Sequence, residues 1–201
     1  MGAQNLAIDN FATLLEGLYK GAFSPQKRHV LRAARCARDR YQQIKPHLDA
    51  ASESRSSLTT LDAGASSGEF VYLMKSLGHA ASGIEPHVGY ATHAKSHLGL
   101  DVNNCAFAEF VYTGRPFKLI TLFHVLEHLE FPVDDLSRLG ALLDPNGLFV
   151  IEVPNILYRG MKFSHKWHAG HLNGFTARSL KITAARAGLE AIVCGEIGDG
   201  G

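Results

Sequence analysis

The sequence is poor in cysteine and has no long apolar run. Its three cysteines, Cys36, Cys105 and Cys194, lie far apart and form no CxxC pair, which argues against a disulfide framework or a zinc knuckle. No apolar run approaches the roughly 18 residues that a membrane helix needs. The first ten residues, MGAQNLAIDN, lack the charged and apolar regions of a secretion signal. These absences predict a cytoplasmic protein with reduced thiols and no membrane partner.

An excess of one charge is also missing. With 20 Lys and Arg against 19 Asp and Glu, the net charge of +1 gives no general attraction to nucleic acid or to a membrane surface. A basic helix is predicted for residues 25–45, which we interpret as solvent-exposed on its charged faces, with an anionic acceptor as the alternative partner. No aromatic stacking surface accompanies it, so nucleic acid is not the expected partner. Its apolar stripe consists of Val30, Ala34, Ala37, Tyr41 and Ile44.

The chain does contain a strand, a glycine-rich turn and a helix in direct succession. The segment LTTLDAGASSG begins with an apolar strand, Leu58 to Leu61, that stops at Asp62. Helical periodicity follows, with Ser66 or Ser67 as the expected N-cap and Gly78 as the expected end. Glycine at 64 and 68 lets a ligand approach the backbone closely. The segment therefore predicts a ligand-binding loop.

Strands and helices alternate after this loop. The pattern predicts an α/β fold with a doubly wound, mostly parallel sheet. Ligands of such sheets bind beyond the carboxyl ends of the strands. We expect one crevice to collect the residues past these ends, namely Asp62, Gly64, Glu85, Phe107, Ala108, His124 and Glu127. Further strands are predicted at 80–84, 102–107, 117–123, 148–153 and 189–193. Two helices are predicted to begin at Pro86 and at Pro132, and a turn over 144–147 follows the second. A last helix is predicted from the cap Thr176 up to Gly188.

The chain is expected to have a helical lead-in before this α/β region. Residues 5–20 show apolar residues at helical intervals, and the basic helix follows them. The polar stretch at 49–57 has the composition of a linker. We therefore predict a helical lead-in or cap over residues 1–50 and a ligand-binding α/β domain over residues 56–201.

Glu85 indicates the class of ligand. A carboxylate about 20 residues beyond the first glycine of such a unit can accept hydrogen bonds from a ribose. The phosphate-binding patterns are absent, because Ser66 and Glu69 interrupt GxGxxG and no lysine follows Gly68. A glutamate at the start of a helix also repels a pyrophosphate. An adenosine ligand without phosphates fits these residues better than a dinucleotide.

Several motifs together resemble the class I S-adenosylmethionine-dependent methyltransferases over about residues 56–197. They are LDAGASSGEF, GIEP, FKLITLFHVLEHL, LLDPNGLFVIEVPN and HAGHLNGFT. The resemblance implies a Rossmann-like fold, S-adenosylmethionine as cofactor, and a seventh, antiparallel strand that the chain ends before. This sequence departs from the usual pattern of the family at two places. Ala65 and Ser66 stand in the loop where cysteine and glycine are common. No Asp follows the third strand at the adenine-contacting position, so Glu109 or a backbone amide would make that contact. The cofactor residues implied are Asp62, Gly64, Ser66, Gly68, Glu85, Pro86, Phe107, Ala108 and His124.

Methyl transfer by displacement needs an aligned acceptor and, for a hydroxyl, a base. Histidine suits that task near neutral pH. We predict His128, His124 and His171 as the catalytic candidates, with His165 and His168 in the same long loop. This loop, residues 154–175, is also rich in aromatic residues and is a candidate acceptor lid. The predicted reaction is methylation of a small polar acceptor, such as a hydroxyl of a sugar, a glycan precursor or another biosynthetic intermediate.

Other interpretations remain open at this stage. HVLEH matches the H-x-x-E-H zinc-peptidase pattern, but it follows a strand and is soon followed by Pro132. Three histidines at 165, 168 and 171 could hold a metal, but their surroundings give no defined geometry, and we expect no metal site. A nicotinamide-dependent oxidoreductase is weakened by the interrupted glycine pattern. A non-catalytic methyltransferase-like scaffold is compatible with the same residues, because methyl transfer needs no single obligatory side chain.

Overall fold

The computed structural model describes residues 27–51, 57–158 and 170–196, with side chains from residue 32 in the first range. The first predicted helix and the start of the basic helix lie outside these residues. The described helices are α1 (Lys27–Ala51), α2 (Glu69–Ser76), α3 (Val88–Leu98), α4 (Pro132–Gly140) and α5 (Ala177–Arg186), and the strands are β1 (Thr59–Ala63), β2 (Ala80–Ile84), β3 (Asp101–Asn103), β4 (Phe117–Phe123) and β5 (Leu143–Glu152).

The strands form one sheet in the order β3-β2-β1-β4-β5. Parallel pairing joins β1 to β2, β1 to β4, and β2 to β3. The chain moves outward from β1 to β3 and then returns to the other side of β1, so the strand order reverses beside β1. Such a reversal is where ligands bind in open α/β sheets. The predicted doubly wound α/β class is confirmed.

The central strands β1 and β4 contain fully buried apolar residues. These are Leu61 and Ala63 in β1 and Leu119 and Ile120 in β4. Such burial is typical of strands whose sheet is covered on both faces. A cluster from the loop, α2, α3 and the β3 region covers one part of the core, consisting of Ala65, Val71, Ala91, Ala94, Leu98, Leu100 and Val102. The predicted stripe of α1 is also buried at Ala34, Ala37, Tyr41 and Ile44, and Leu48 extends it.

Two predicted strands have the wrong ends. The strand β1 runs to Ala63, so Asp62 lies inside the strand rather than past it. The strand β3 stops at Asn103, and Phe107 begins a 3₁₀ turn instead of ending a strand. The amide of Asn104 donates to the backbone oxygens of Glu85 and Pro86, so this side chain replaces further strand pairing. The ends of β2 and β4 are as predicted.

Three helix predictions also need correction. The N-cap of α2 is Gly68, with φ of 88°, and neither serine caps the helix. The helix α3 begins at Val88, after Pro86, and the His87 side chain accepts the N–H of Tyr90. The helix α1 continues through Pro46 to Ala51, beyond the predicted end at residue 45. The cap Thr176 and the terminating Gly188, with φ of 81°, are confirmed for α5.

The predictions after α4 were less accurate. The strand β5 already includes residues 144–147, which were predicted as a turn. Lys118 forms an ion pair of 2.7 Å with Asp144 there, which anchors the start of this strand. The predicted strand over 189–193 is wrong, because the described residues 189–196 have no strand assignment. Ile192 and Val193 are instead 67% and 65% exposed.

The chain divides into two compact units. The first unit comprises Met1–Thr121 and Leu143–Val150, and the second comprises Leu122–Leu142 and Ile151–Gly201. In the second unit α4 packs against α5. The predicted boundary near residues 50–56 stays a prediction. None of the helices in the described part of the chain is long and apolar enough to cross a membrane.

Candidate functional site

The glycine loop of the first unit is held by the end of β2. The amides of Gly64 and Ala65 both donate to the backbone oxygen of Ile84, at 2.8 and 2.9 Å. Gly64 has φ of 87° and Ser66 has φ of 50°, so the loop passes through left-handed conformations at both residues. Left-handed conformation costs glycine little but strains serine. The backbone of the loop therefore folds back onto the strand that leads to Glu85.

Glu85 connects the loop to the start of α3. Its Oε2 accepts the N–H of Ser66 at 2.8 Å, and its Oε1 accepts the N–H of His87 at 2.8 Å. Each carboxylate oxygen has two acceptor sites, so each retains capacity for a ligand hydroxyl after accepting one amide. The buried carboxylate is thus fixed in place before any ligand binds. This geometry suits the ribose contact predicted from the sequence, which stays a prediction.

Asp62 is a second buried carboxylate in this unit. The hydroxyl of Thr121 in β4 donates to its Oδ1 at 2.7 Å. Burial raises the pKa of Asp62 to about 6, with the nearby charges of Glu69 and Glu85 also raising it. Thr121 was missed by the sequence analysis, although it is the one hydroxyl in the apolar run of β4. We name Asp62, Thr121, the loop 63–68 and Glu85 together the cradle.

Gly68 has a packing reason to lack a side chain. A Cβ there would lie 2.5 Å from Leu100 Cδ1 and 3.2 Å from Ala94 Cβ, and φ is +88°. A side chain at position 68 would therefore displace Leu100 and strain the backbone, whatever ligand is bound.

The other predicted cofactor residues of the first unit differ in exposure. Phe107 is buried, whereas Pro86 and Ala108 are exposed. The carboxylate of Glu109 accepts the N–H of Ala106.

The charge of the cradle tests the expected cofactor. Asp62, Glu69 and Glu85 are all buried carboxylates. The charges of Glu69 and Glu85 raise the pKa of Asp62, and the charge of Arg40 lowers it. Such a concentration of negative charge repels a pyrophosphate and favours a ligand with ammonium or sulfonium groups. The residues present therefore fit S-adenosylmethionine better than a dinucleotide.

His124 begins a separate group of polar residues in the second unit. It follows β4 with φ of 55°, and its Nε2 lies 2.7 Å from Oε1 of Glu152. Its Nδ1 lies 3.5 Å from Oε1 of Glu127. Hydrogen bonding to Glu127 and then to Glu152 raises the pKa of His124 to about 9. The ring is therefore a cation at neutral pH and is poorly suited to accept a proton.

His128 and His171 lie side by side in the same unit. Their ring centres are 4.9 Å apart in an edge-to-face arrangement. His128 Nδ1 lies 2.7 Å from the backbone oxygen of Gly170. The contact of Glu152 with His124 was missed by the sequence analysis, because the sequence of β5 does not show which side chain the Glu152 carboxylate contacts. We name Glu127, His128 and His171 together the His–Glu cluster.

The predicted site residues thus fall in both units. The cradle and the residues Pro86, Phe107 and Ala108 belong to the first unit, and the catalytic candidates His124, His128 and His171 belong to the second. Their convergence on one crevice stays a prediction. His165 and His168 lie outside the described residues, as do the aromatic residues Phe163 and Trp167.

Comparison with known proteins identifies the family. A family model described as a methyltransferase domain matches residues 36–193, which is most of the chain. This match includes the cradle, the His–Glu cluster and every described strand.

Two curated relatives are similar over about half of the chain. Both are ubiquinone biosynthesis O-methyltransferases, one from Bradyrhizobium diazoefficiens and one from Rhodopseudomonas palustris. The first is 30% identical over 103 residues, covering 49% of this chain and 40% of the relative. The second is 30% identical over 105 residues, covering 50% and 41%. The matched region is therefore about two fifths of the length of these relatives.

Solved structures share the fold. A SAM-dependent methyltransferase from Archaeoglobus fulgidus superimposes with a TM-score of 0.62 at 18% identity, covering 88% of this chain and 73% of that one. A SAM-bound amino pentose methyltransferase from Micromonospora echinaspora gives a TM-score of 0.53 at 22% identity, covering 66% and 59%. With the family match, these results place the chain in the methyltransferase domain family, and it has the fold of the S-adenosylmethionine-dependent enzymes to which it is similar.

Proposed function

We propose that this chain is a methyltransferase that moves the methyl group of S-adenosylmethionine to a hydroxyl of a small polar acceptor. The observation that carries the proposal is the cradle itself. A fixed carboxylate at Glu85 accepts the loop amide of Ser66, and a buried carboxylate at Asp62 lies inside the neighbouring strand, one residue before its end. The arrangement provides hydroxyl acceptors and negative charge without a phosphate site.

Each part of the cradle has a role in this proposal. Glu85 accepts hydrogen bonds from the ribose hydroxyls, and the loop at Gly64 and Ser66, with Asp62, holds the cationic methionine part. Phe107, Ala108 and Pro86 border the adenine, and Gly68 lets the loop pack on the core. S-adenosylmethionine supplies an electrophilic methyl group on its sulfonium. The chain supplies binding, orientation and exclusion of water, which are the main requirements of a displacement.

The polar groups of the second unit are proposed to act on the acceptor. His124, whose two ring nitrogens face Glu127 and Glu152, provides a positive charge for an acceptor oxygen rather than a base. Its raised pKa keeps the ring charged at neutral pH. The proposed oxygen acceptor agrees with the names of the curated relatives, which are O-methyltransferases. A phenolic ring and a sugar are the two acceptor classes to compare.

An acceptor screen tests this proposal. The purified chain would be incubated with methyl-labelled S-adenosylmethionine and two sets of acceptors, polyhydroxylated phenols and sugars that carry both hydroxyl and amino groups. We expect label on an oxygen of one set, with turnover abolished in Glu85→Gln. Label on nitrogen would contradict the hydroxyl acceptor. Cofactor binding without turnover of either set would favour the scaffold, and preferential binding of NAD would favour the oxidoreductase.

A further inference from the structure

The His–Glu cluster has a composition that the proposed methyl transfer does not explain. Glu127, His128 and His171 each offer one ligand atom, and these atoms all lie within 4.8 Å of one another. Two imidazole nitrogens and one carboxylate are a common ligand set of zinc and related ions. The hydrogen bonds of these residues determine which of their nitrogen and oxygen atoms can bind an ion.

The hydrogen bond of His128 determines which of its nitrogens is available. The Gly170 carbonyl can only accept, so the Nδ1 atom at 2.7 Å must carry the hydrogen. In the neutral ring the lone pair is then on Nε2, which lies 3.9 Å from Oε1 of Glu127. Metal-binding histidines usually donate their other N–H to a backbone carbonyl or a carboxylate in this way. The lone pair and the carboxylate are two acceptors near each other, which a shared cation would stabilise.

Glu127 has an unsatisfied oxygen. Its side chain is only 2% exposed, and Oε1 lies near the rings of His124 and His128. Its Oε2 is buried and has no hydrogen-bond partner among the described residues. A buried acceptor of a charged group without a partner is costly, because it has lost water and gained nothing in return. A bound ion would satisfy this oxygen.

The backbone keeps the third ligand close to the other two. The backbone N–H of Asn173 donates to the backbone oxygen of Glu127 at 3.0 Å. The side-chain amide of Asn173 donates to the backbone oxygen of Leu129 at 2.6 Å. With the bond from His128 to Gly170, the segment 170–173 is attached to the segment 127–129 on both sides of His171. The two segments are therefore linked by fixed contacts, not by chance proximity of surface side chains.

We propose that Glu127, His128 and His171 bind a divalent transition-metal ion of the Zn²⁺ type. Imidazole suits zinc and its neighbours, whereas Mg²⁺ and Ca²⁺ prefer oxygen ligands. Ligands about 2.0–2.1 Å from a tetrahedral ion lie about 3.3 Å apart, so the cluster closes on binding through small rotations of the two accessible imidazoles. Three protein ligands leave a position open to solvent or to another ligand.

The test uses the metal alone and does not depend on methyl transfer. The tag-free chain would be stripped with a chelator and titrated with Zn²⁺ by calorimetry and with Co²⁺ by visible absorption, which reports coordination geometry. The variants are Glu127→Gln, which keeps the side-chain shape, and His171→Ala. His47→Ala is the matched control, because His47 is an exposed histidine on α1 outside the cluster. Circular dichroism would establish that each variant is folded.

We expect one ion per chain, an absorption band typical of nitrogen and oxygen ligands, and a higher unfolding temperature with metal. Both cluster variants should bind about 100-fold more weakly or worse, since loss of an outer partner of a ligand already costs about 10–100-fold. His47→Ala should bind as the unaltered chain does. Absence of stoichiometric binding, or equal binding by the folded cluster variants, would overturn the proposal whatever the outcome of the acceptor screen.

Discussion

Among the described residues, two other than glycine adopt left-handed backbone conformations, Ser66 with φ of 50° and His124 with φ of 55°. In this conformation a residue with a Cβ atom has a steric cost of roughly 1–2 kcal/mol. Such strain persists where the surrounding structure fixes it, and it is concentrated at functional sites. Ser66 lies in the cradle and His124 contacts two carboxylates, so both strained residues lie in groups to which we assign function.

Replacing Ser66 by glycine should therefore stabilise the chain. The steric relief exceeds the added freedom of the unfolded chain, and we expect a gain of about 0.5–1 kcal/mol in the free energy of unfolding. The measurement is urea denaturation of Ser66→Gly and of the control Ser67→Gly. Ser67 is buried and has no positive φ, so its glycine variant should be destabilised. Equal effects of the two substitutions would contradict the strain at Ser66.

The buried carboxylate of Asp62 gives a pH-dependent prediction. Its pKa is about 6 in the folded chain, above the ordinary value of 3.8, so ionisation opposes folding. The cost is small below about pH 4, grows as the pH rises from the ordinary pKa to the folded pKa, and is complete above about pH 7. Asp62→Asn, which still accepts from Thr121, should be more stable than the unaltered chain by about 2–3 kcal/mol at pH 8.

The same comparison at pH 4 is the internal control for Asp62. Other carboxylates titrate in both proteins and cancel in the difference, so most of the advantage of Asp62→Asn should be lost there. Urea denaturation without ligand at both pH values gives this difference directly. An advantage that is constant with pH would mean that the Asp62 pKa is not raised by burial.

At the scale of elements, α1 contains an interior proline. Pro46 lies inside a helix that continues to Ala51, and proline removes a backbone hydrogen bond and clashes with the preceding turn. The side chain is exposed, so its replacement leaves no cavity. Pro46→Ala should raise the free energy of unfolding by about 1–3 kcal/mol. The exposed Gln43→Ala in the same helix is the control, and a stabilisation no larger than that of Gln43→Ala would contradict this reasoning.

The strands show what the sequence could and could not predict. The ends of β2 and β4 were predicted correctly, because Glu85 and Pro86 directly follow β2 and the mostly apolar run of β4 lies between Pro116 and His124. The segment at 189–193 is also mostly apolar, but a strand needs a partner with which to form hydrogen bonds, and periodicity does not show one. The extra length of β5 depends in the same way on pairing with a neighbouring strand, and Asp144 in the added part forms an ion pair with Lys118 of β4.

The candidate site follows the same division. Glu85 could be predicted because its spacing from the glycine loop carries the information. The partners Thr121 and Glu152 could not, because they depend on which strands are neighbours and on their register. The cationic state of His124 also depends on those contacts, so the histidines had to be predicted as bases.

At the scale of the whole molecule, the chain consists of two units, and the cofactor proposal rests on the first. The cradle lies at the reversal of strand order, where open α/β sheets bind ligands, and every contact that defines it lies within that unit. The central claim is that Glu85 and the glycine loop bind an adenosine ligand with no phosphate. A test of binding, independent of the acceptor, addresses this claim most directly.

That measurement is calorimetry of S-adenosylhomocysteine with the intact chain, Glu85→Ala, the isosteric Glu85→Gln and the exposed control Glu190→Gln. We expect a dissociation constant on the order of micromolar for the intact chain and the control. Binding should be lost in both Glu85 variants while they remain folded, and NAD should not bind. Unchanged affinity in the folded Glu85 variants, or no binding by the intact chain, would contradict the assignment of the cradle.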